Sequence, residues 1–125
     1  MIRITFLLRA KPGLPKSEFY DYWLNQHGPL VASVAGDLNM LRYVQVHTLQ
    51  DQDAQAANAG MAEARGGMEV PYDGVAEVYF ENREALLAGL ASDAGKKAGA
   101  LLVADEAKFI DLANSPLWLG HEYPQ

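Results

Sequence analysis

Residues 2–30, IRITFLLRAKPGLPKSEFYDYWLNQHGPL, pass from a strand pattern to a helix pattern, and this change of period decides the fold. From Ile2 to Leu8 every second residue is strongly apolar, as in a strand with one buried face. The turn-forming residues 11–15 end that strand. Large side chains then recur at steps of three and four and share one helix face; they are Phe19, Tyr22, Trp23, Gln26, His27 and Leu30.

A proline interrupts this helix. Pro29 cannot donate a hydrogen bond to the carbonyl of Asn25, and it disfavours helical angles at Gly28. We therefore expect the helix to kink or stop there, and to restart with Pro29 in its first turn and run to residue 35. His27 lies at this break, one turn after Trp23.

The remaining elements follow from the same periodicities. The patterns predict a strand over 41–49 with bulky side chains on both faces, a strand over 75–80, a helix over 84–90, a Ser92-capped helix over 93–103 with a break near Gly99 left open, and a fourth strand over 105–113. Residues 114–125 are predicted to be a C-terminal tail.

The alanine-rich residues 50–72 form a long insertion between the second and third strands. Alanine has helix propensity but little side chain with which to anchor a helix. We therefore predict a mobile excursion with one weak helix. Long loops inside small domains are often functional, so this segment is a candidate lid.

The order of elements is strand, helix, strand, strand, helix, strand. It predicts a single α+β domain over residues 1–125, a ferredoxin-like βαββαβ sandwich whose four-stranded antiparallel sheet carries helices on one face. The other face of that sheet must also be covered. A symmetric second copy would supply the cover, and we therefore expect a homodimer.

Composition excludes several classes of function. The chain has 125 residues, no cysteine and a net charge of −6. Disulfides, thiolate metal sites and cysteine nucleophiles are thus excluded, and we expect a reducing, cytoplasmic location. An acidic chain without a basic stripe argues against nucleic-acid binding. No segment reaches the roughly 20 apolar residues of a membrane span, so no membrane partner is expected.

Two groups of residues could carry chemistry. The negative end of the helix dipole would raise the pKa of His27, whereas burial beside Trp23 would lower it. In either case His27 could act as an acid or base. The alternative is a histidine that caps the carbonyls around Pro29. Tyr43 and His47 share one strand face and could orient a carbonyl or phenolate; the alternative is a half-buried polar face.

Other candidate sites have weaker support. Asp73 is interpreted as a turn former. Asp105 and Glu106 could provide a general base, although solvated loop charges are the favoured interpretation. The three histidines lack metal-ligand spacing, so no metal site is predicted. The chain has no phosphate loop and no dinucleotide fingerprint, and we expect no flavin or nicotinamide cofactor.

The segment 19–30, in which Trp23 is followed by His27 and then by Gly28-Pro29, resembles the signature of EthD-type proteins. Residues 41–47 and 72–80 resemble the second and third strands of that family, and 103–111 resembles the segment that opens its last strand. The likeness runs from residue 1 to about residue 113.

The resemblance implies a dimeric α+β barrel that acts on a small hydrophobic, often aromatic or lactone-like molecule without a bound organic cofactor. Relatives of similar fold include muconolactone-type isomerases, polyketide cyclases and dehydratases, and antibiotic-type monooxygenases. The family's name implies a catabolic setting such as ethyl tert-butyl ether degradation. The expected site residues are His27, Tyr43 and His47 for catalysis, and Trp23, Phe19, Phe6 and Tyr79 for substrate binding.

Three functions remain open from the sequence. The chain could be a cofactor-independent isomerase, cyclase, dehydratase or monooxygenase-like enzyme. It could instead bind or carry a small molecule as an auxiliary protein of a catabolic pathway. In the third interpretation it is a structural dimer whose histidines only satisfy the fold.

Overall fold

Four strands form one antiparallel sheet in the order β2-β3-β1-β4. The computed structural model describes residues 1–67 and 70–125. The strands are β1 (Ile2–Leu8), β2 (Arg42–His47), β3 (Gly74–Phe80) and β4 (Leu117–His121). This strand order is the one produced by a βαββαβ chain, and it confirms the predicted ferredoxin-like fold.

The helices are α1 (Lys16–Tyr22), α2 (Gly28–Val34), α3 (Gln52–Ala64), α4 (Arg83–Ala91) and α5 (Asp93–Glu106). A π-helical segment, Trp23–His27, joins α1 to α2. The predicted Ser92 cap is confirmed, since its Oγ accepts a hydrogen bond from the backbone N–H of Gly95 at 2.9 Å. No helix within the described residues is long and apolar enough to cross a bilayer.

The core lies between the sheet and the helices. Alternate residues of β1 face the helices, opposite the inward-facing residues of β3: Phe6 pairs with Ala76, Ile4 with Val78. Trp23, Phe19, Phe80 and Phe109 are among the largest fully buried side chains. The period of two in residues 2–8 therefore predicted which face of the first strand is buried.

The predicted fourth strand was wrong. Residues 105–106 end α5, which continues through Gly99 without a break, and the edge of β1 is paired instead by residues 117–121 of the predicted tail. Phe109 and Ile110 are consecutive and both buried, because they fill the end of the core where only a single bridge joins Ala10 to Ile110. Side chains that are buried consecutively do not follow the alternation of a strand.

Residues 50–72 contain one helix, α3, as predicted, but it is a full 13 residues long. Every side chain of α3, which lies wholly within the described residues, is at least partly exposed. This helix lines a cavity of about 420 Å³ together with Lys16 and Tyr72. Met68 and Glu69 lie outside the described residues. The mobility of the segment stays a prediction.

Candidate functional site

The π-helical segment sets the position of His27. The N–H of Gly28 donates to the carbonyl of Trp23, five residues back, and the amide Nε2 of Gln45 donates to the same carbonyl at 2.8 Å. His27 and Gly28 keep helical backbone angles, so the helix continues without a break up to Pro29. The wider turn accommodates the proline. Segments of this kind occur frequently at functional sites.

A cavity of about 360 Å³ lies between the sheet and the helices. Its wall is mainly apolar and includes Phe6, Trp23, Val31, Val78 and Leu102. Four polar side chains also line it, those of His27, Tyr43, Glu106 and Ser115. The Ser115 hydroxyl accepts from the N–H of Arg9 and donates to the carbonyl of Asp111. His27, Tyr43 and Glu106 are thus the polar groups left to meet a ligand.

His27 is buried and has a carboxyl partner on each side. Its Nδ1 lies 2.7 Å from Oδ2 of Asp105, and its Nε2 lies 4.0 Å from Oε2 of Glu106. Burial lowers the pKa of His27, and the hydrogen bond and charge of Asp105 oppose this only in part. His27 is therefore a largely neutral imidazole at neutral pH.

Asp105 accepts hydrogen bonds on both carboxylate oxygens. The Tyr22 hydroxyl donates to Oδ1 at 2.5 Å, and Nζ of Lys108 lies 3.4 Å from the same oxygen. Burial alone would raise the pKa of Asp105, but hydrogen bonds from Tyr22, His27 and Lys108 outweigh it and lower this pKa. Asp105 is therefore ionised.

The pKa of Glu106 shifts in the opposite direction. Burial, with a further contribution from the nearby charge of Asp105, raises the pKa of Glu106 to about 7. A carboxyl group with this pKa gives up and takes back a proton near neutral pH. Groups with perturbed pKa values are frequent at functional sites.

The Tyr43 hydroxyl can still donate one hydrogen bond. Its oxygen accepts from Nε1 of Trp23 at 3.0 Å and from Nε2 of Gln45 at 3.2 Å. A phenol oxygen has two lone pairs and one proton, so the proton remains for an acceptor in the cavity. Burial raises the pKa of Tyr43, opposed by those two hydrogen bonds, and the phenol stays protonated at neutral pH.

Three of the other predicted site residues, His47, Phe19 and Tyr79, do not line the cavity. The His47 ring stacks on those of Trp23 and Tyr20, with centroids 4.5 and 5.0 Å apart, and Nε2 of His47 lies 2.8 Å from Oε1 of Gln45. Phe19 packs behind Trp23 in the core. Tyr79 lies on the opposite sheet face, where its hydroxyl donates to Glu77. Phe6 and Trp23 line the cavity.

Asp105 and Glu106 were interpreted from the sequence as solvated loop charges, and the structure corrects this. They lie in the last turn of α5, on the stripe that buries Ala98 and Leu102. Helical spacing from Leu102 reaches both residues at steps of three and four. This signal lies beyond residue 103, where the sequence pattern predicts the end of the helix.

No group of three or more His, Asp and Glu side chains within the described residues is arranged to hold a metal ion. His27, Asp105 and Glu106 lie close together, but Asp105 uses both oxygens on protein donors. These three side chains are able to carry out hydrogen bonding and proton transfer.

Known proteins support the fold and a family. The EthD domain model matches residues 11–113, whereas no curated protein matches the chain. An EthD family protein from Bacillus halodurans superposes with a TM-score of 0.62 and 20% identity, over 98% of this chain and 99% of its own.

Two further solved structures are similar over most of their length. An EthD-like protein from Ralstonia eutropha has a TM-score of 0.60 and 14% identity, covering 96% of this chain and 89% of its own. A dimeric ferredoxin-like protein of unknown function from Bacteroides fragilis has a TM-score of 0.57 and 7% identity, over 97% and 95%. At these identities the likeness is one of fold.

Proposed function

This chain belongs to the EthD family, and from that premise and its cavity we propose that it is a cofactor-independent proton-transfer enzyme. Its substrate is a small hydrophobic molecule, such as an aromatic ketone or a lactone, that carries a carbonyl group. Isomerisation, cyclisation and dehydration of such molecules share one step, the removal of a proton from a carbon next to the carbonyl.

The observation that carries this proposal is the convergence of three proton-bearing side chains in one apolar cavity. Tyr43 has a free proton with which to bind the carbonyl oxygen and to stabilise the enolate that forms. His27 and Glu106 are the groups that exchange a proton with the substrate carbon, and Glu106 titrates near pH 7. The apolar wall binds the rest of the molecule.

The size and lining of the cavity fit a small ligand. Its volume of about 360 Å³ lies within the roughly 300–1,000 Å³ of small-molecule sites. The same cavity would serve the alternative function, which is to bind or carry such a molecule without turnover. Ether degradation, a catabolic setting and a cytoplasmic location stay predictions.

Hydrogen–deuterium exchange tests the chemistry without knowledge of the natural substrate. A panel of small aromatic ketones and lactones would be incubated with the protein in D₂O, and exchange at the carbon next to the carbonyl followed by ¹H NMR. We expect wild-type protein to accelerate exchange for at least one compound that binds. His27→Gln and Glu106→Gln should each reduce the rate by about 10²-fold or more.

Matched controls come from exposed residues of the same type. His121→Gln and Glu81→Gln change residues that do not line the cavity, and they should exchange at the wild-type rate. Binding would be followed in parallel by ligand-observed NMR. Compounds that bind in the cavity without any exchange would favour the carrier function.

We also propose that the chain associates with a second copy through the outer face of the sheet. By strand register, Leu7, Val44, Val46, Val75 and Trp118 share this face. Val46 and Trp118 are 47% and 51% exposed. An apolar sheet face of this kind needs a cover, and the similar Bacteroides fragilis protein is dimeric.

A further inference from the structure

We propose that Asp105 and Tyr22 are positioning residues that fix the proton of His27 on Nδ1 and leave Nε2 as the nitrogen that exchanges a proton with substrate. This inference rests on the proposed function, because it names the atom of His27 that does the chemistry. Asp105 and Tyr22 themselves are absent from the lining of the cavity, so they act through His27.

A hydrogen bond joins Asp105 to His27. The Oδ2 of Asp105 lies 2.7 Å from Nδ1 of His27. An ionised carboxylate can only accept hydrogen bonds, so the bond requires a proton on Nδ1. In a neutral imidazole the other nitrogen then carries a lone pair.

The remaining nitrogen of His27, Nε2, lies near Glu106. Nε2 of His27 lies 4.0 Å from Oε2 of Glu106, and both side chains line the cavity. A lone pair at Nε2 is thus placed beside a carboxyl group that holds an exchangeable proton. In the opposite tautomer Nε2 would carry the proton, so it would present an N–H to Glu106 and could not accept a proton from the substrate.

Tyr22 acts one step further from the cavity. Its hydroxyl donates to Oδ1 of Asp105 at 2.5 Å, which holds the carboxylate so that Oδ2 faces His27. Tyr22 ends α1 directly before the segment that carries His27, and Asp105 lies in the last turn of α5 beside Glu106, so this bond joins the two parts of the chain that carry His27 and Glu106. Burial would favour a protonated Asp105, but the hydrogen bonds from Tyr22, His27 and Lys108 lower its pKa and keep it an acceptor.

The tautomer can be measured in the free wild-type protein by ¹⁵N-labelled histidine NMR at neutral pH. We expect the His27 signals of a protonated Nδ1 and an unprotonated Nε2. A protonated Nε2 with an unprotonated Nδ1 would overturn the proposal. This result does not depend on turnover, whereas absence of exchange with every ketone and lactone that binds would overturn the proposed function.

Variants then test the two positioning residues. In Asp105→Asn an amide N–H can donate to Nδ1, so the tautomer should reverse, and exchange should fall by about 10²-fold or more while affinity for the same ketone changes little. Tyr22→Phe should keep the wild-type tautomer and lose less activity, since Lys108 still contacts Oδ1 of Asp105.

Asp37→Asn and Tyr123→Phe are the matched controls, because both residues are exposed and neither lines the cavity. They should leave the tautomer and the exchange rate unchanged. Should Asp105→Asn fail to fold, the wild-type spectrum still decides the proposal. An Asp105→Asn protein that is folded and keeps both the wild-type tautomer and the wild-type rate would contradict it.

Discussion

Asp105 and Glu106 are neighbours in one helical turn, yet their surroundings move their pKa values in opposite directions. Asp105 accepts hydrogen bonds from Tyr22, His27 and Lys108, which outweigh the effect of burial. Glu106 is partly buried beside that negative charge, no hydrogen bond from another described residue stabilises its ionised form, and its pKa rises to about 7. Two carboxyl groups held in different protonation states can serve as an ionised anchor and a proton donor.

Glu106→Gln should therefore change stability in a pH-dependent way. Between the ordinary pKa of 4.5 and the raised value of about 7, the folded state binds more protons than the unfolded state, so stability falls as the pH rises through this window. At about 1.4 kcal/mol per pKa unit, the effect is at most about 3 kcal/mol. Urea unfolding should show that the variant is more stable than wild type at pH 8 and nearly as stable as wild type at pH 4.

The control is Glu81→Gln, which changes an exposed glutamate. Its free energy of unfolding should equal that of wild type both at pH 4 and at pH 8. An equal gain for Glu106→Gln at pH 4 and pH 8 would mean that packing, and not ionisation, is responsible.

Tyr43→Phe should destabilise the fold as well as remove the proposed carbonyl donor. The substitution leaves the buried Nε1–H of Trp23 without its acceptor, at a cost of about 1–3 kcal/mol. Urea unfolding measures this loss. Tyr123→Phe, at a residue that is 74% exposed, should stay within about 0.5 kcal/mol of wild type. A Tyr43→Phe protein as stable as wild type would argue against the Trp23 hydrogen bond.

At the scale of elements, two helices cross at a point where only glycine fits. A Cβ at Gly95 would lie 1.6 Å from the carbonyl oxygen of Gly89, and one at Gly89 would lie 2.4 Å from the carbonyl oxygen of Leu38. The backbones of α4, α5 and the segment before β2 therefore touch directly. This close approach brings α5, with Asp105 and Glu106 at its end, onto the cavity.

Gly95→Ala should consequently cost about 3 kcal/mol or more, because the added methyl group meets backbone that cannot move aside. Gly99→Ala is the matched control in the same helix, where an added Cβ meets no atom within 4 Å. It should stabilise the protein by about 0.5–1 kcal/mol through its higher helix propensity. Thermal unfolding of the two variants compares them directly. Equal stabilities would contradict the close crossing.

The first helix shows how far periodicity reaches at this scale. Steps of three and four correctly placed Phe19, Trp23 and His27 on the buried face. They did not predict that a π-helical turn would accommodate Pro29 while the helix continued. At this turn the Trp23 carbonyl also accepts a hydrogen bond from the side-chain amide of Gln45 on β2, a partner that helical periodicity does not reveal.

At the scale of the whole molecule, the helices pack against one face of the sheet and leave the other face open to solvent. The helices bury the inner-face residues of β3, such as Val78 and Phe80, whereas the outer face exposes Val46 and Trp118. One end of the outer face is polar, with Arg3, Glu77 and Tyr79 in mutual contact. The apolar residues Leu7, Val46 and Val75 lie together at the other end of this face, and an exposed apolar patch is typical of a surface that another chain covers.

Trp118→Arg should therefore weaken self-association. We expect wild-type protein to be a dimer by sedimentation velocity and the variant to shift towards monomer, because burying an unpaired guanidinium in the interface is costly. Leu24→Arg changes an exposed apolar residue on the helical side and should leave the dimer intact. A wild-type monomer at all concentrations would contradict the proposed interface.

Local patterns predicted the ferredoxin-like order of elements, the buried face of β1, the Ser92 cap and the place of His27, because each depends on neighbours within a few residues. The fourth strand could not be located this way. The strand predicted over 105–113 was misplaced, because local pattern does not show that residues 117–121 occupy the edge of β1.

The site required long-range packing for the same reason. His27 and Asp105 are 78 residues apart in the chain and meet at 2.7 Å. Tyr43 comes from the sheet and Glu106 from the end of α5. Their convergence, and the opposite pKa shifts of two adjacent carboxyl groups, arise from burial and hydrogen-bond partners that exist only once the helices close over the sheet.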